Sequence, residues 1–504
     1  MTEGKSDMIG GRRLARNVLW NLLGNGMPLL VAIVAIPILI EGLGTERFGV
    51  LTLAWMVVGY FGLFDLGLGR ALTKLVAERL GKGSEAEIPA LVWTSMSLMT
   101  MLGALGAVFV AVLSPWLVGS VLKIPSGLQP ETLTAFYLLA ASIPIVISST
   151  GLRGILEAHQ RFGLVNAVRI PLGILTFLGP LVVLPFSSSL APVVAVLVIG
   201  RLISWCVYAS ACLYVEPALR HSVNIRPALV KSLISLGGWM TVSNVIGPLM
   251  IYMDRFLIGV MVSMTAVAYY ATPYDVVTKL WIIPGALMGV MFPAFAAALA
   301  QDRERAAHLF SRAVSYIFLS LFPVALIIII FADEGLTLWL GSEFANNSML
   351  VLQLLTIGVF INSHSRVPFG LVQSAGRPDL TAKLHLIELP FYLLILWWLV
   401  DVYGIVGAAI TWVIRVAVDT IFLFAMVQRI MPTISPFAMR PLLIAGMAML
   451  ALVLAPVIPV FAMKGWYLML VLLIFGRITW SVILTTIERN LICRRYKTIT
   501  SFKS

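Results

Sequence analysis

Residues 404–428 read GIVGAAITWVIRVAVDTIFLFAMVQ, and residues 190–214 read LAPVVAVLVIGRLISWCVYASACLY. Both stretches are apolar almost throughout, and each carries one arginine eleven residues in: Arg415 in the first, Arg201 in the second. A helix rises about 1.5 Å per residue, so about 20 such residues cross a hydrocarbon layer about 30 Å thick. An ionised side chain at that depth costs at least about 2.5–3.5 kcal/mol on insertion scales, so it must face a cavity or a partner. Two spanning helices with an arginine at matching depth point to a membrane fold and to a repeat.

The rest of the chain agrees. Of 504 residues, 60% are hydrophobic and 12% charged, with a mean hydropathy of +0.99. Ordinary globular chains are about half apolar and about one-quarter charged. The excess apolar surface needs lipid, which excludes a soluble enzyme. Fourteen stretches are long and apolar enough to span: about 18–40, 48–69, 89–113, 134–155, 166–184, 190–214, 235–253, 264–298, 307–331, 348–372, 380–400, 404–428, 440–461 and 466–487. The connectors between them, at most about twenty residues, leave no room for an extramembrane domain. The first run follows Arg12, Arg13 and Arg16, is too long for a signal-peptide core and is expected to be retained.

The net charge of +12 would suggest nucleic acid on a soluble protein. Here it sets orientation. With the N-terminus inside, cytoplasmic segments hold 26 of the 35 Lys and Arg, and the opposite side holds 4 (Arg47, Lys123, Arg255 and Lys464). That asymmetry places both termini in the cytoplasm. The three cysteines, Cys206, Cys212 and Cys493, make neither a disulfide framework nor a metal-ligand set.

The repeat extends beyond the two arginines. Trp20 and Asn25 recur as Trp239 and Asn244, and Gly154, Leu156, Arg161 and Leu164 recur as Gly370, Val372, Arg377 and Leu380. Six spans per unit is even, so the halves enter the membrane from the same side, as parallel repeats with a substrate site at their interface. The expected fold is therefore an all-α polytopic membrane protein with fourteen transmembrane helices. Residues 1–220 form one six-helix lobe and 221–432 the other, with 433–504 supplying two further helices and a cytoplasmic tail.

Five cations fall inside spans: Arg201, Lys279, Arg366, Arg415 and Arg477. Asp275 precedes Lys279 by four residues and Asp419 follows Arg415 by four, a spacing at which each pair can neutralise itself on one helix face. A self-neutralised pair and a substrate contact are both open for these two. Arg201 and Arg477 have no such carboxylate, so each needs a partner from another helix, such as Glu388, or an anion from outside. Arginine forks match phosphate oxygens, so a cationic cavity suits an anionic headgroup. Asp65 lies in Asp65-Leu66-Gly67-Leu68-Gly69 at the expected cytoplasmic end of span two. Asn17, Asn21 and Asn25 form one polar stripe on span one; Asn17 is read as packing, while helix contact and a face for sugar hydroxyls both stand for the other two. No P-loop, GxSxG or HExxH occurs, so neither an ATP motor nor a hydrolase has support and no cofactor is expected.

At this point the chain resembles the polysaccharide-transporter branch of the MOP exporter superfamily, the Wzx-type flippases, whose fold is MATE-like. The matching motifs are Gly44-Thr45-Glu46-Arg47-Phe48-Gly49, Asp65 to Gly69, Asp254-Arg255-Phe256-Leu257-Ile258-Gly259, Tyr269-Tyr270, Gly376-Arg377-Pro378 and Tyr403-Gly404-Ile405-Val406-Gly407-Ala408-Ala409. The resemblance implies a flippase of the bacterial inner membrane, moving an undecaprenyl-pyrophosphate-linked oligosaccharide (an O-antigen, capsule or exopolysaccharide unit) by alternating access. It implies that Arg201, Lys279, Arg366, Arg415 and Arg477 neutralise pyrophosphate, and that Asn21, Asn25 and Asn244 face the sugars. Asp65, Asp275 or Asp419 would couple an ion, and the lipid tail would lie in a groove beside spans thirteen and fourteen. A polysaccharide polymerase and chain-length machinery would be partners, and nucleic acid would not. A drug/cation antiporter of the same superfamily and a membrane glycosyltransferase or polymerase are the competing readings.

Overall fold

Lipid offers backbone amides no partner, so a chain this apolar must satisfy them within each segment. The computed structural model describes residues 27–63, 65, 67–220, 223–432, 435–458, 460–484 and 489, and among these there is no strand. The helices are α1 (Met27–Leu43), α2 (Thr45–Leu63), α3 (Leu68–Gly81), α4 (Ile88–Trp116), α5 (Gln129–Ala158), α6 (Phe162–Val183), α7 (Leu190–Val215) and α8 (Pro227–Met261). They continue with α9 (Met264–Val277), α10 (Ile282–Gln301), α11 (Arg303–Ile330), α12 (Ala332–Leu340), α13 (Ser342–Ser374), α14 (Pro378–Ile430), α15 (Ser435–Leu454) and α16 (Phe461–Ile478). Nine helical stretches among the described residues are long and apolar enough to cross a membrane. On α4, Leu105, Val108, Phe109 and Val112 recur at helical spacing and are all exposed, a stripe that only lipid can cover.

Three breaks shape the elements. Between α2 and α3 the chain turns at Asp65 and Gly67, the glycine taking a left-handed φ of 72°. The expected span 264–298 is divided by a 3₁₀ turn, Thr278–Trp281, between α9 and α10. Pro273, within α9, and Pro284, in the first turn of α10, each lack the amide that would continue the ladder. α14 holds two expected spans joined at Gly404, whose φ of 57° and ψ of −134° are not helical. Just beyond that turn, a Cβ on Gly407 would stand 1.8 Å from the Leu399 carbonyl oxygen, so the two arms meet backbone to backbone.

The contacts group residues 1–272 and 385–408 into one unit, and 273–384 and 409–504 into a second. In the first, the core gathers Leu72, Ile88, Met99, Ile147 and Ile155 from α3, α4 and α5. Gly103 brings α4 against Pro144 of α5, where a Cβ would meet the Pro144 Cα at 2.5 Å. In the second, Phe318 and Phe322 of α11 pack tilted against Phe475 of α16 at ring separations of 5.6 and 5.2 Å. Lys464 of α16 also donates to Glu334 of α12 at 2.7 Å. These contacts fasten α16, which buries no residue of its own.

Candidate functional site

In the first unit, Val146, Ser149, Thr150 and Arg153 of α5 share one helical face, as do Arg169 and Leu172 of α6 and Arg201, Ser204 and Tyr208 of α7. The three faces enclose a pocket of about 170 Å³. Gly200 sets its width, since a Cβ there would lie 2.1 Å from Leu175 Cδ2, so α6 and α7 approach closely beside Arg201. The hydroxyls donate to carbonyls: Ser149 to Ile145 at 2.7 Å, Ser204 to Gly200 at 2.8 Å and Tyr208 to Val165 at 3.2 Å. Three guanidiniums are therefore the pocket's charged donors. Arg153 stands 3.4 Å from Glu157. Arg201 is half-buried, and among the described residues its guanidinium has neither a hydrogen bond nor an ion pair. Neutral contacts do not offset the desolvation of such a group, so the pocket is chemically suited to an oxyanion.

Asp65 adjoins this pocket. Its carboxylate accepts from Gly67 N at 3.0 Å, Gly69 N at 2.9 Å and the pocket residue Thr150 Oγ1 at 3.1 Å. The short Asp-Leu-Gly-Leu-Gly motif is thus a helix cap at the start of α3, and Gly69 leaves room for the carboxylate, where a Cβ would come within 2.6 Å of Asp65 Oδ2.

In the second unit, a cluster of aromatic rings surrounds the 3₁₀ turn. Tyr274 lies edge-on to Trp281 and Trp412, with centroids 6.5 and 5.8 Å away, and Trp281 and Trp412 are 6.4 Å apart. The Arg366 guanidinium sits over Trp281, 5.0 Å from its ring centroid. Gly358 admits the Trp412 ring, which approaches to 2.2 Å of where a Cβ would stand. Trp281 Nε1 and Arg366 Nε are buried and have no hydrogen-bond partner among the described residues. A buried unsatisfied donor costs about 1–3 kcal/mol, so two at one place call for an explanation.

The other expected residues are placed as follows. Lys279 is exposed and has no carboxylate within ion-pair distance among the described residues, so the anticipated pair with Asp275 does not form. The reason is the 3₁₀ turn: at three residues per turn, positions four apart no longer face each other. Arg415 is half-buried and Asp419 buried on the second arm of α14, and Glu388 is buried on the first. Arg477 lies in the last turn of α16, exposed, and lines neither cluster. Asn21 and Asn25 lie outside the described residues, as does the side chain of Asn244.

Comparison with known proteins decides the family. A profile described as polysaccharide biosynthesis protein matches residues 14–299. A Shigella flexneri protein assigned as an O-antigen transporter is 35% identical over 412 residues, covering 81% of this chain and 96% of that one. The chain belongs to the polysaccharide biosynthesis protein family. A Haloferax volcanii protein assigned as a low-salt glycan biosynthesis flippase is 24% identical over 192 residues, 38% of this chain and 40% of that protein. The fold is that of a solved inward-facing multidrug-resistance MATE-family transporter of the MOP superfamily, with a TM-score of 0.67 at 15% identity, covering 83% of this chain and 96% of that one. The resemblance carried by the short motifs therefore holds, and this polysaccharide biosynthesis protein is a multi-pass membrane protein.

Within this family member, sequence reasoning missed Arg153 and Arg169, which count there only toward orientation, and Trp281, Trp412 and Tyr274, which carry no motif of their own. Arg153 and Arg169 sit near the α5–α6 connector, where basic residues are ordinary. The remaining signal was their helical register with Ser149 and Leu172. It also passed over Asp254, whose buried carboxylate accepts from the Tyr270 hydroxyl at 2.6 Å and joins two of the family-like motifs.

Proposed function

We propose that this protein is a polysaccharide flippase of the bacterial inner membrane. Its cargo is an undecaprenyl-pyrophosphate-linked oligosaccharide, moved by alternating access between lobes 1–220 and 221–432, with both termini in the cytoplasm. The observation that carries this reading is the arginine pocket of α5, α6 and α7, where Arg201 lacks a counter-ion and an oxyanion of the pyrophosphate would supply one. Arg366, Arg415, Lys279 and Arg477 of the second unit are assigned to the same neutralising task, and Asn21, Asn25 and Asn244 to the sugars. Asp275, Glu388 and Asp419 are the carboxylates assigned to ion coupling. Asp65 belongs to the same set, and its hydrogen bonds to Gly67, Gly69 and Thr150 support a structural task as the second reading. An apolar groove of about 250 Å³, lined by Phe318, Phe322, Ile444, Met447, Tyr467 and Phe475 among others, suits the polyprenyl tail. A polysaccharide polymerase and chain-length machinery would take up the delivered unit. The likeness to drug exporters concerns the fold, which does not carry a substrate with it.

The test is Arg201→Ala, alone and with Arg169→Ala, as the sole copy in cells. Loss of a charge-assisted contact worth about 1.5–3 kcal/mol predicts about a tenfold to hundredfold drop in affinity and loss of surface polysaccharide. Membrane immunoblots would check that the protein is still inserted. Wild-type polymer from both variants would refute the pocket's role.

A further inference from the structure

The arginine pocket accounts for a phosphate, and the asparagine side chains assigned to the sugars lie outside the described residues. We infer that the second unit carries a saccharide-binding subsite at the 3₁₀ turn between α9 and α10, with Trp281 and Arg366 as its recognition groups. The inference rests on the flippase reading above and adds to it where the carbohydrate is held.

Three features of the turn support this assignment. The helix is interrupted there, between Pro273 and Pro284, so Trp281 leaves the register of both α9 and α10. Its indole N–H is buried without an acceptor among the described residues, although a buried tryptophan normally finds one. The Nε–H of Arg366, held over the same indole at 5.0 Å, is also buried without an acceptor among them. An occupant that brings acceptors of its own would satisfy both donors.

The surroundings narrow the class of occupant. The frame is aromatic: Tyr274 and Trp412 are buried and set edge-on or tilted to Trp281, and the close contact with Gly358 fixes Trp412. An aromatic frame with two fixed donors matches a ring that has apolar C–H faces and oxygen acceptors at its rim, which describes a pyranose. A hydrophobic cation fits poorly, because a guanidinium already lies over Trp281. A bare pyrophosphate fits poorly too, because the frame supplies one cation and an apolar wall where the pocket of the first unit gathers three. The subsite is therefore assigned a neutral or acidic sugar residue of the cargo.

Binding to the full-length protein in nanodiscs, read by native mass spectrometry, separates the two sites. One probe is undecaprenyl pyrophosphate; the other is the lipid-linked oligosaccharide that accumulates in host cells lacking the transporter. Trp281→Phe keeps an aromatic ring and removes the donor, and Arg366→Gln removes the charge. Each is expected to weaken the glycosylated probe about tenfold, an effect of about 1.4 kcal/mol, and Trp281→Phe is expected to leave the bare pyrophosphate lipid unchanged. Arg201→Ala is expected to weaken both probes. Unchanged binding of the glycosylated probe by both variants overturns the subsite, as does an equal loss of both probes in Trp281→Phe. If Arg201→Ala alone behaves as wild type, the phosphate assignment fails while the sugar assignment stands. If wild type binds neither probe, both fall.

Discussion

A carboxylate in a membrane protein invites the idea of a titrating switch, and Asp65 shows how geometry narrows that idea. Its two oxygens receive two backbone amides and one hydroxyl, all at 2.9–3.1 Å. An asparagine has one oxygen fewer to offer but caps helices about as well as aspartate, whereas alanine loses about 1 kcal/mol or more. Asp65→Asn should therefore keep polymer export within a few-fold of wild type, and Asp65→Ala should lower the amount of folded protein in membranes. A coupling acid would behave in the opposite way, with Asn abolishing export at a normal protein level, so surface polymer read beside an immunoblot decides between them. At this scale the sequence disclosed what was costly and hid what was assembled. Arg201 and Arg366 stood out because charge in a span is expensive. Arg153 and Arg169 did not, because each sits near a helix end where water is close, and their meeting with Arg201 depends on the packing of three helices.

Among the elements, the nine long apolar helical stretches of the described residues were legible because about 20 apolar residues in a row leave little choice, and the breaks were legible only in part. Pro273 and Pro284 signalled a bend in span eight, but not that the turn would present Trp281. Gly404 sits where the sequence divides two spans, and its backbone angles lie in territory that glycine alone occupies readily. Gly404→Ala should destabilise the protein by about 1–3 kcal/mol, seen as a lower melting midpoint in detergent. Gly446 of α15 provides the contrast: it lies in a helix, and a Cβ there meets nothing within 4 Å. Gly446→Ala should leave the midpoint unchanged or raise it, since alanine is favoured over glycine in a helix by about 1 kcal/mol. Equal behaviour of the two variants would mean that the hairpin turn at Gly404 is not under conformational constraint.

For the whole molecule, the sequence carried the class and the family, because hydropathy and ordered short motifs are properties of the linear chain. The division into two units, interleaved at residues 272, 384 and 408, is a property of contacts and left no mark in composition. Orientation is the whole-molecule prediction. In a cysteine-free background, Gly127→Cys, in the connector before α5, should react with a membrane-impermeant maleimide added to intact spheroplasts. Lys82→Cys, in the connector after α3, should react only after lysis. The reverse pattern would invert the topology read from the basic residues.

The apolar groove flanked by α11, α15 and α16 sets a limit on what the transporter can measure. Its volume of about 250 Å³ is small beside a polyprenyl chain of eleven isoprene units. On the proposed function such a carrier would leave most of its length among the surrounding lipids. The protein would then have no ruler for its carrier: a polyprenyl pyrophosphate shortened by a few units and bearing the same glycan should be moved as readily as the full-length one. Selection among cargoes would fall to the head of the molecule, and the tail would serve as a generic membrane anchor.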